Sequence, residues 1–341
     1  MMPTEAIIDA ARRGRSITGD EAEAILLSED DPHILFESAG MVRDRRLGRE
    51  IRFYYPLPRF PNVSVTGSGC ALGCKHCGGH YLRGMVGTET PSKLKALCTK
   101  LEADGGIGLL VSGGCDAEGR VPLDRFLGAL RWVKENTGLI VNVHTGLLDH
   151  GQAEEISSTG VDIVSVDVVG SNETIRRVYG LKAMVDDYRE TLNSLKEAQV
   201  PHIVPHICVG LDFGKIRGEA AALEVARGIN PELVVILGLM PTPGTAMESV
   251  EPPSAEVIAR AVTATRLMFP DAGVALGCMR PRTRKERIEE LAMRAGASRL
   301  VLPSRSTIEK TEAGGFRVMH LDGCCSIPVG LEARALRLGH P

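Results

Sequence analysis

Eight times along the chain, a short apolar segment is followed by a longer segment in which apolar residues recur with helical spacing. The short segments are rich in β-branched residues and are apolar nearly throughout, which is typical of parallel strands covered by helices. They span residues 62–68, 107–114, 139–146, 162–168, 202–211, 233–240, 273–279 and 299–304. Eight such units predict an α/β fold of the TIM-type (β/α)8 barrel class, with an open doubly wound sheet as the alternative.

The repeat divides the chain into three parts. Residues 1–60 contain amphipathic patterns that predict an N-terminal helical extension, which ends in the proline-broken connector "YYPLPRFP". Residues 61–304 carry the eight units of the barrel, and residues 305–341 form a C-terminal tail. We expect this tail to fold over the mouth of the barrel, which is the end where the strands terminate.

Composition constrains the function of the protein more than it constrains the fold. The formal net charge of −3 gives no support for binding to nucleic acid or to an acidic membrane surface. No run of about 18 apolar residues suggests a membrane span, and the N-terminus has no apolar signal core. We therefore expect a cytoplasmic protein, whose nine cysteines are ligands, nucleophiles or buried apolar groups rather than disulfides.

Three of these cysteines follow the first predicted strand. In "GSGCALGCKHC", Cys70, Cys74 and Cys77 have the spacing C-x3-C-x2-C on a glycine-rich loop. Three thiolates suit a [4Fe–4S] cluster in which one iron is left uncovered. A structural zinc site needs four ligands, so the zinc alternative requires His76 or a distant residue as the fourth.

This spacing, with a ring residue before the last cysteine, resembles the signature of the radical S-adenosylmethionine (SAM) superfamily. The resemblance implies that SAM binds the uncovered iron. One electron, from a donor such as ferredoxin or flavodoxin, then cleaves SAM to methionine and a 5′-deoxyadenosyl radical that abstracts hydrogen from the substrate. The likeness extends over about residues 17–300 and is strongest to the biotin synthase group.

The resemblance also implies residues that contact SAM. His76 matches the ring that lies beside the adenine, and Asp167 matches a residue that holds the ribose hydroxyls. Gly113 and Gly114 stand where the superfamily often has Gly-Gly-Glu, so they are expected to offer backbone groups to the methionine amine. Cys115 replaces the glutamate of that pattern, which puts this contact in doubt.

The resemblance also bears on the methionine carboxylate and on Arg280, whereas His206 is a candidate from its place on a strand face, with a structural histidine as the alternative. The arginine that binds the methionine carboxylate in the biotin synthase group falls on Tyr188, and the adjacent Arg189 is the candidate for its role. His206, on the fifth predicted strand, and Arg280, after the seventh, are candidate substrate contacts.

A second iron–sulfur cluster is predicted from the remaining thiols. Cys115 and Cys278 stand at the ends of predicted strands, and Cys324 and Cys325 lie in the tail. Thiolates are natural ligands of iron–sulfur clusters. Adjacent cysteines diverge in an extended chain, so one of the tail pair is expected to ligate. The alternative is that Cys278 is packed and the tail pair is incidental.

Biotin synthesis itself is not expected. In biotin synthase, three barrel cysteines and an arginine hold the sulfur-giving cluster. The arginine position matches Arg280, but the cysteine positions fall on Leu110, Asn142 and Val204, which do not bind such a cluster.

The pattern also resembles the biotin-synthase-like proteins that act in pairs as the archaeal type of lipoyl synthase. The implied reaction inserts sulfur into an octanoyl chain on a carrier protein, with a second radical SAM protein as partner. One alternative is a radical SAM enzyme without sulfur transfer, catalysing a carbon-skeleton rearrangement or a maturase-like reaction. Another is a non-catalytic metal-binding scaffold.

Overall fold

The computed structural model describes residues 4–337. Residues 1–3 of the predicted N-terminal extension and residues 338–341 of the predicted tail lie outside the described residues. All eight predicted strands are present, and the α/β class is confirmed. Three further strands join them in one sheet. The strands are Glu50–Tyr54 (β1), Asn62–Ser64 (β2), Val86–Gly87 (β3), Gly108–Ser112 (β4), Ile140–His144 (β5), Ile163–Asp167 (β6), His202–Val209 (β7), Leu233–Gly238 (β8), Gly273–Leu276 (β9), Arg299–Val301 (β10) and Arg317–Leu321 (β11).

Helices alternate with the strands of the barrel. They are Thr4–Arg12 (α1), Gly19–Leu27 (α2), His33–Leu47 (α3), Pro91–Ala103 (α4), Leu127–Asn136 (α5), His150–Ser157 (α6), Asn172–Thr174 (α7), Val185–Glu197 (α8), Glu219–Arg227 (α9), Ala255–Met268 (α10), Lys285–Arg294 (α11) and Arg305–Ala313 (α12). Short 3-10 turns lie at His80–Gly84, Asp124–Phe126 and Val329–Arg334, and a π-helical turn lies at Ile175–Tyr179.

Local side-chain chemistry fixes where several helices begin. The Thr18 hydroxyl accepts a hydrogen bond from the Glu21 amide at the start of α2, and the Glu21 carboxylate accepts one from the Thr18 amide. Asp149 and Gln152 make the same reciprocal pair at the start of α6. These bonds satisfy amides that have no partner within the helix.

The sheet is parallel throughout, and its order is β11-β1-β10-β9-β8-β7-β6-β5-β4-β2-β3. Within the described residues, the first and last of the eight predicted strands, β2 and β10, are not paired, so the sheet keeps two edges. The prediction of full closure by eight strands was therefore too simple. β10 instead pairs with β1, which lies inside the segment expected to be helical.

The tail lies at the end of the barrel opposite to the one predicted. Ile140, Ile163 and Leu233, the first residues of their strands, form one buried cluster with Cys325 and Ile327 of the tail. The tail thus enters the lumen, the space enclosed by the sheet, from the end where the strands begin. The expectation of a tail over the mouth was wrong, because its apolar residues fill the base of the lumen.

Buried charges hold the tail in this position. The Arg299 guanidinium at the start of β10 donates to the Cys325 carbonyl at 3.1 Å and pairs with Glu332 at 3.1 Å. Glu332 also accepts from the Tyr54 hydroxyl and from Arg52, each at 2.7 Å. The tail closes one end of the lumen and leaves the mouth open.

No helix within residues 4–337 has both the length and the apolar character needed to cross a membrane.

Candidate metal and cofactor site

The three clustered cysteines lie on the loop that follows β2 at the mouth. The sulfur atoms of Cys74 and Cys77 and a ring nitrogen of His76 all lie within 4.8 Å of one another. Cys70 is exposed and falls outside this close group, with its sulfur 3.5 Å from the Leu72 carbonyl oxygen. The loop can therefore present three thiols to one cluster, with Cys70 free to turn towards it.

The pKa values of the two close thiols, Cys74 and Cys77, are shifted in opposite directions. The neighbouring Cys74 thiol, and then His76, lower the pKa of Cys77. The reciprocal contact with Cys77, together with burial, raises the pKa of Cys74. The Cys77 thiol therefore loses its proton more readily than the Cys74 thiol, and the thiolate is the metal-binding form.

A cavity of about 200 Å³ joins this loop to the ends of two barrel strands. Besides the three cysteines, its walls include Gly113, Gly114, Cys115, Asp167, Tyr179 and Tyr188. A cavity of about 530 Å³ also lies at the rim, but none of the cysteines lines it. The chemistry-bearing residues therefore point to the smaller cavity.

The cysteine loop is closely joined to the end of β4. A Cβ atom at Gly114 would lie 2.0 Å from the Gly69 carbonyl oxygen and 2.6 Å from the Cys70 Cα, so only glycine fits there. The Gly114 amide donates to the Thr66 hydroxyl at 2.7 Å, and the Ala71 amide donates to the Cys115 carbonyl at 2.8 Å. This close backbone approach fixes the loop over the strand end.

Asp167 ends β6 on the opposite wall of the cavity. Its carboxylate is exposed and makes no hydrogen bond or ion pair within the part of the chain that the structure describes. Burial, and then the Asp167 charge, raise the pKa of Tyr188, which therefore keeps its proton. Two free carboxylate oxygens can accept hydrogen bonds from a pair of hydroxyls.

Arg189 lies outside the lining of this cavity. On α8, Tyr188 is buried and faces the cavity, whereas Arg189 is half exposed and pairs with Asp186 at 3.3 Å. Neighbouring residues on a helix point about 100° apart, so both cannot face the same site. At this position the cavity contains a phenol rather than a guanidinium.

The cavity fits an adenosyl group beside a cluster. His76 Nδ1 is buried without a hydrogen-bond partner among the described residues, so a bound molecule can supply one. Tyr179 packs against the His76 ring, with 5.3 Å between ring centroids. Together with the free Asp167 carboxylate, these groups provide an aromatic wall and acceptors for hydroxyls.

Sequence reasoning missed Tyr179. This tyrosine ends the π-helical turn, and Gly180 follows with φ of +73°. Such turns are rare and often lie at functional sites. The Tyr-Gly pair was the available signal, but no periodic pattern predicts a single π turn.

The four thiols assigned to a second cluster divide into two places. Cys115 lines the cavity of the triplet, whereas Cys278, Cys324 and Cys325 act electrostatically on one another in the lumen. We call these last three the lumen thiols. Cys278 is accessible to solvent although protein surrounds it, as expected for a residue inside an open mouth. Of the four candidates, some of which were expected to bind a second cluster, Cys115 therefore lies apart from the other three.

The lumen thiols also include one that favours the thiolate form. The Cys325 thiol, and then Ser326, lower the pKa of Cys324 despite its burial. The Asn142 side-chain nitrogen is buried with no hydrogen-bond partner in residues 4–337, and it faces the Cys324 sulfur. An unused donor beside this sulfur stabilises negative charge on it.

Two histidines, His144 and His206, lie between the tail and Asp167 of the 200 Å³ cavity. His206 Nδ1 donates to the Val204 carbonyl at 3.0 Å, and Nε2 lies 3.5 Å from the Ser326 hydroxyl. The His144 ring is 5.2 Å from the His206 ring, and the Asp167 charge acts on both. Burial, and then His144, lower the pKa of His206 to about 4, so it is neutral near pH 7.

Arg280 is directed away from the lumen. One terminal nitrogen donates to the Gly277 carbonyl at 2.6 Å, and the other donates to Glu289 at 2.6 Å and to the Val301 carbonyl at 2.8 Å. A substrate contact from this side chain would require these bonds to break.

The sequence profile described as the Radical SAM superfamily matches residues 64–214. Biotin synthase of Acidithiobacillus ferrooxidans is 29% identical over 255 residues, which cover 71% of this chain and 77% of that protein. Biotin synthase of Geobacter sulfurreducens is 23% identical and covers 86% and 88%, respectively.

Among solved structures, the [FeFe]-hydrogenase maturase HydG of Carboxydothermus hydrogenoformans superposes with a TM-score of 0.71 and 16% identity, covering 94% of this chain and 80% of that one. Methylornithine synthase (PylB) superposes with a TM-score of 0.66 and 18% identity, covering 92% and 97%. At these identities the likeness concerns the fold.

Proposed function

Since this chain belongs to the radical SAM superfamily and is similar to the biotin synthases, we propose that it inserts sulfur into an unactivated acyl chain on a carrier protein. Its cofactors are a [4Fe–4S] cluster and SAM. When bound, the cluster supplies the electron that cleaves SAM to methionine and the hydrogen-abstracting 5′-deoxyadenosyl radical. Cys70, Cys74 and Cys77 would hold the cluster.

The walls of the smaller cavity hold and orient the nucleoside. His76, backed by Tyr179, offers a flat surface and an unpaired ring nitrogen to the adenine. The Asp167 carboxylate accepts hydrogen bonds from the ribose hydroxyls. Tyr188 keeps its proton beside Asp167, so it donates a hydrogen bond without adding charge.

The proposal of sulfur insertion depends on the position of the lumen thiols. Leu110, Val204 and Cys324 all belong to the cluster at the base of the lumen, and Asn142 faces the Cys324 sulfur. Leu110, Asn142 and Val204 are the positions where the biotin synthase resemblance places ligands of the sulfur-giving cluster. The tail thus brings thiols to the place where those side chains no longer supply them.

The surroundings of the lumen thiols suit an acyl chain. Leu237 and Val235 line the same lower cluster, and neutral His206 adds no charge near pH 7. An acyl chain that enters from the mouth would reach Cys278, which lies two residues after the end of β9.

The rim supports docking of an acidic carrier protein. Arg282 and Arg284 are exposed beside the 530 Å³ cavity, and neither forms an ion pair within residues 4–337. Their exchange for glutamate should raise KM for the octanoylated carrier and leave deoxyadenosine release unchanged. The electron donor and a second radical SAM protein complete the set of proposed partners.

The alternative is a radical SAM reaction without sulfur transfer. One observation favours it: among the described residues, the lumen thiols do not form a close metal-binding group like that of Cys74, His76 and Cys77. In that case the lumen thiols would be dispensable for turnover.

Iron and sulfide analysis after anaerobic reconstitution tests the proposal. Replacing the triplet with alanine should remove one cluster and leave iron and sulfide bound to the lumen thiols. Replacing Cys278, Cys324 and Cys325 should do the reverse. Cys98, buried in α4, provides the control substitution.

The product assay uses an octanoylated lipoyl-domain peptide with SAM and a reductant. The wild-type protein, supplied with its second radical SAM protein, should add sulfur to the octanoyl chain. The lumen-thiol variant should release deoxyadenosine without adding sulfur. Sulfur addition by that variant would contradict the proposal.

A further inference from the structure

The Cys115 thiol lies outside the lumen thiols, so sulfur insertion gives it no task. We propose that Cys115 is a fourth thiolate ligand of the [4Fe–4S] cluster in the SAM-free enzyme, and that SAM displaces it. This inference rests on the cluster assigned above to the triplet, and it adds a ligand specific to this chain.

The backbone brings Cys115 against the cysteine loop. The Ala71 amide donates to the Cys115 carbonyl at 2.8 Å, one residue after Cys70. On the other side, a Cβ at Gly114 would lie 2.6 Å from Cys70 Cα and Cβ. The two contacts flank Cys70 and hold Cys115 at the edge of the space that a cluster on the triplet would fill.

The surroundings of the side chain point the same way. Cys115 is half buried and lines the same 200 Å³ cavity as Cys70, Cys74 and Cys77. The Cys70 and Cys77 thiols both act electrostatically on it. The nearest thiol chemistry to Cys115 is therefore the triplet.

Cysteine differs chemically from the glutamate that the resemblance places at this position. A thiolate is a soft ligand that binds iron strongly, whereas a carboxylate is a hard ligand. Ligand exchange breaks the bond between the Cys115 sulfur and iron as SAM takes that iron, and the released thiolate takes a proton from solvent. No electron is transferred, and no further reactant is needed.

Such a ligand would protect the cluster while SAM is absent. An iron with only three sulfide bonds and no thiolate is the one most easily lost to oxidation, which leaves a [3Fe–4S] cluster. Capping by Cys115 slows this loss, and bound SAM replaces the cap. The effect should therefore appear only in the SAM-free enzyme.

The test compares anaerobically reconstituted wild type, Cys115→Ala and the control Cys98→Ala. To isolate one cluster, alanine replaces the three lumen thiols in all three proteins, so the protein called wild type here is otherwise unchanged. Each is treated with ferricyanide, and the [3Fe–4S] signal is measured by electron paramagnetic resonance. Without SAM, Cys115→Ala should give a several-fold larger signal than the other two proteins. With saturating SAM, the three signals should be equal.

SAM affinity provides an independent readout. Removal of a competing ligand should tighten SAM binding to Cys115→Ala several-fold, as measured by anaerobic titration. Equal [3Fe–4S] yields without SAM, or weaker SAM binding by the variant, would overturn the inference. Failure of the triplet to hold iron in any of the proteins would instead overturn the cluster assignment as well.

Discussion

The two groups of thiols in this protein are built in different ways. The triplet lies on one loop, where Cys74, His76 and Cys77 are already close together. The lumen thiols come from the end of β9 and from a tail that enters the opposite end of the barrel. A site made by one loop depends on local backbone geometry, whereas a site made by two distant segments depends on tertiary packing. Substitutions should separate these two dependences.

The largest expected effect separates the two groups by reaction. Cys77→Ala should reduce deoxyadenosine release to the background level, because the variant lacks a proposed ligand of the cluster that cleaves SAM. Cys324→Ala should retain deoxyadenosine release and lose sulfur addition. Both products can be quantified by mass spectrometry in the same reaction. Loss of deoxyadenosine release in Cys324→Ala would mean that the two groups do not act separately.

Breaking the anchor of the tail should affect only the lumen thiols. Glu332→Leu leaves Arg299 buried without its carboxylate, while Arg52 keeps its pair with Glu50. The uncompensated Arg299 charge should lower the free energy of unfolding by about 3–5 kcal/mol. Tyr54→Phe removes the hydroxyl that donates to the same carboxylate and accepts from Arg299, and should cost about 1.5–3 kcal/mol. Urea titration measures both values.

The iron content of the same variants sharpens this test. Glu332→Leu should lose the iron of the lumen thiols and keep that of the triplet, with Tyr54→Phe as the conservative control. Loss of iron from both groups in equal proportion would argue against independent assembly.

Acid should destabilise the region between the two groups. The pKa of His206 is about 4 in the folded protein, below its ordinary value of about 6.5, so the unfolded chain binds more protons between these values. Stability should therefore fall as pH drops from 6.5 to 4, by on the order of 3 kcal/mol from this residue. His206→Gln should reduce the slope of unfolding free energy against pH. An unchanged slope would show that the ring is not held neutral.

The fit between the cysteine loop and β4 should be sensitive to one methyl group. Gly114→Ala places a carbon 2.0 Å from the Gly69 carbonyl, and such overpacking costs about 1–3 kcal/mol. We expect weaker SAM binding in an anaerobic titration. Gly73→Ala is the matched control, because nothing lies within 4 Å of its Cβ position on the same loop.

The smallest effect concerns α8. Arg189→Ala should change SAM affinity by no more than about 0.5 kcal/mol, because its exposed pair with Asp186 contributes little. Tyr188→Phe, which alters the cavity wall, should have the larger effect in the same titration. The opposite order would restore Arg189 as the carboxylate ligand.

The sequence was most informative where the determinants are local. The periodic strands, the capping pair of Thr18 and Glu21, and the cysteine spacing all depend on residues close together in the chain. β1 was missed because Glu50–Tyr54 is short and precedes a run of prolines. Its three fully buried side chains, Ile51, Phe53 and Tyr54, pack only after β10 and β11 come alongside.

Non-local features of the site were harder to predict. The choice between Tyr188 and Arg189 depends on how α8 is rotated about its axis against the barrel. Matching one residue of this chain to a family position does not determine that rotation. The separation of Cys115 from Cys324 depends on which end of the barrel the tail enters. No short-range pattern encodes that direction, because the apolar residues of the tail suit either end.

The position of the tail has a consequence for the order in which the enzyme matures. Residues 322–337 follow every strand of the sheet in the chain, so the base of the lumen stays uncovered until the tail has packed. Once Cys325 is inserted, the base of the lumen is closed, and the mouth stays open for exchange with the surroundings.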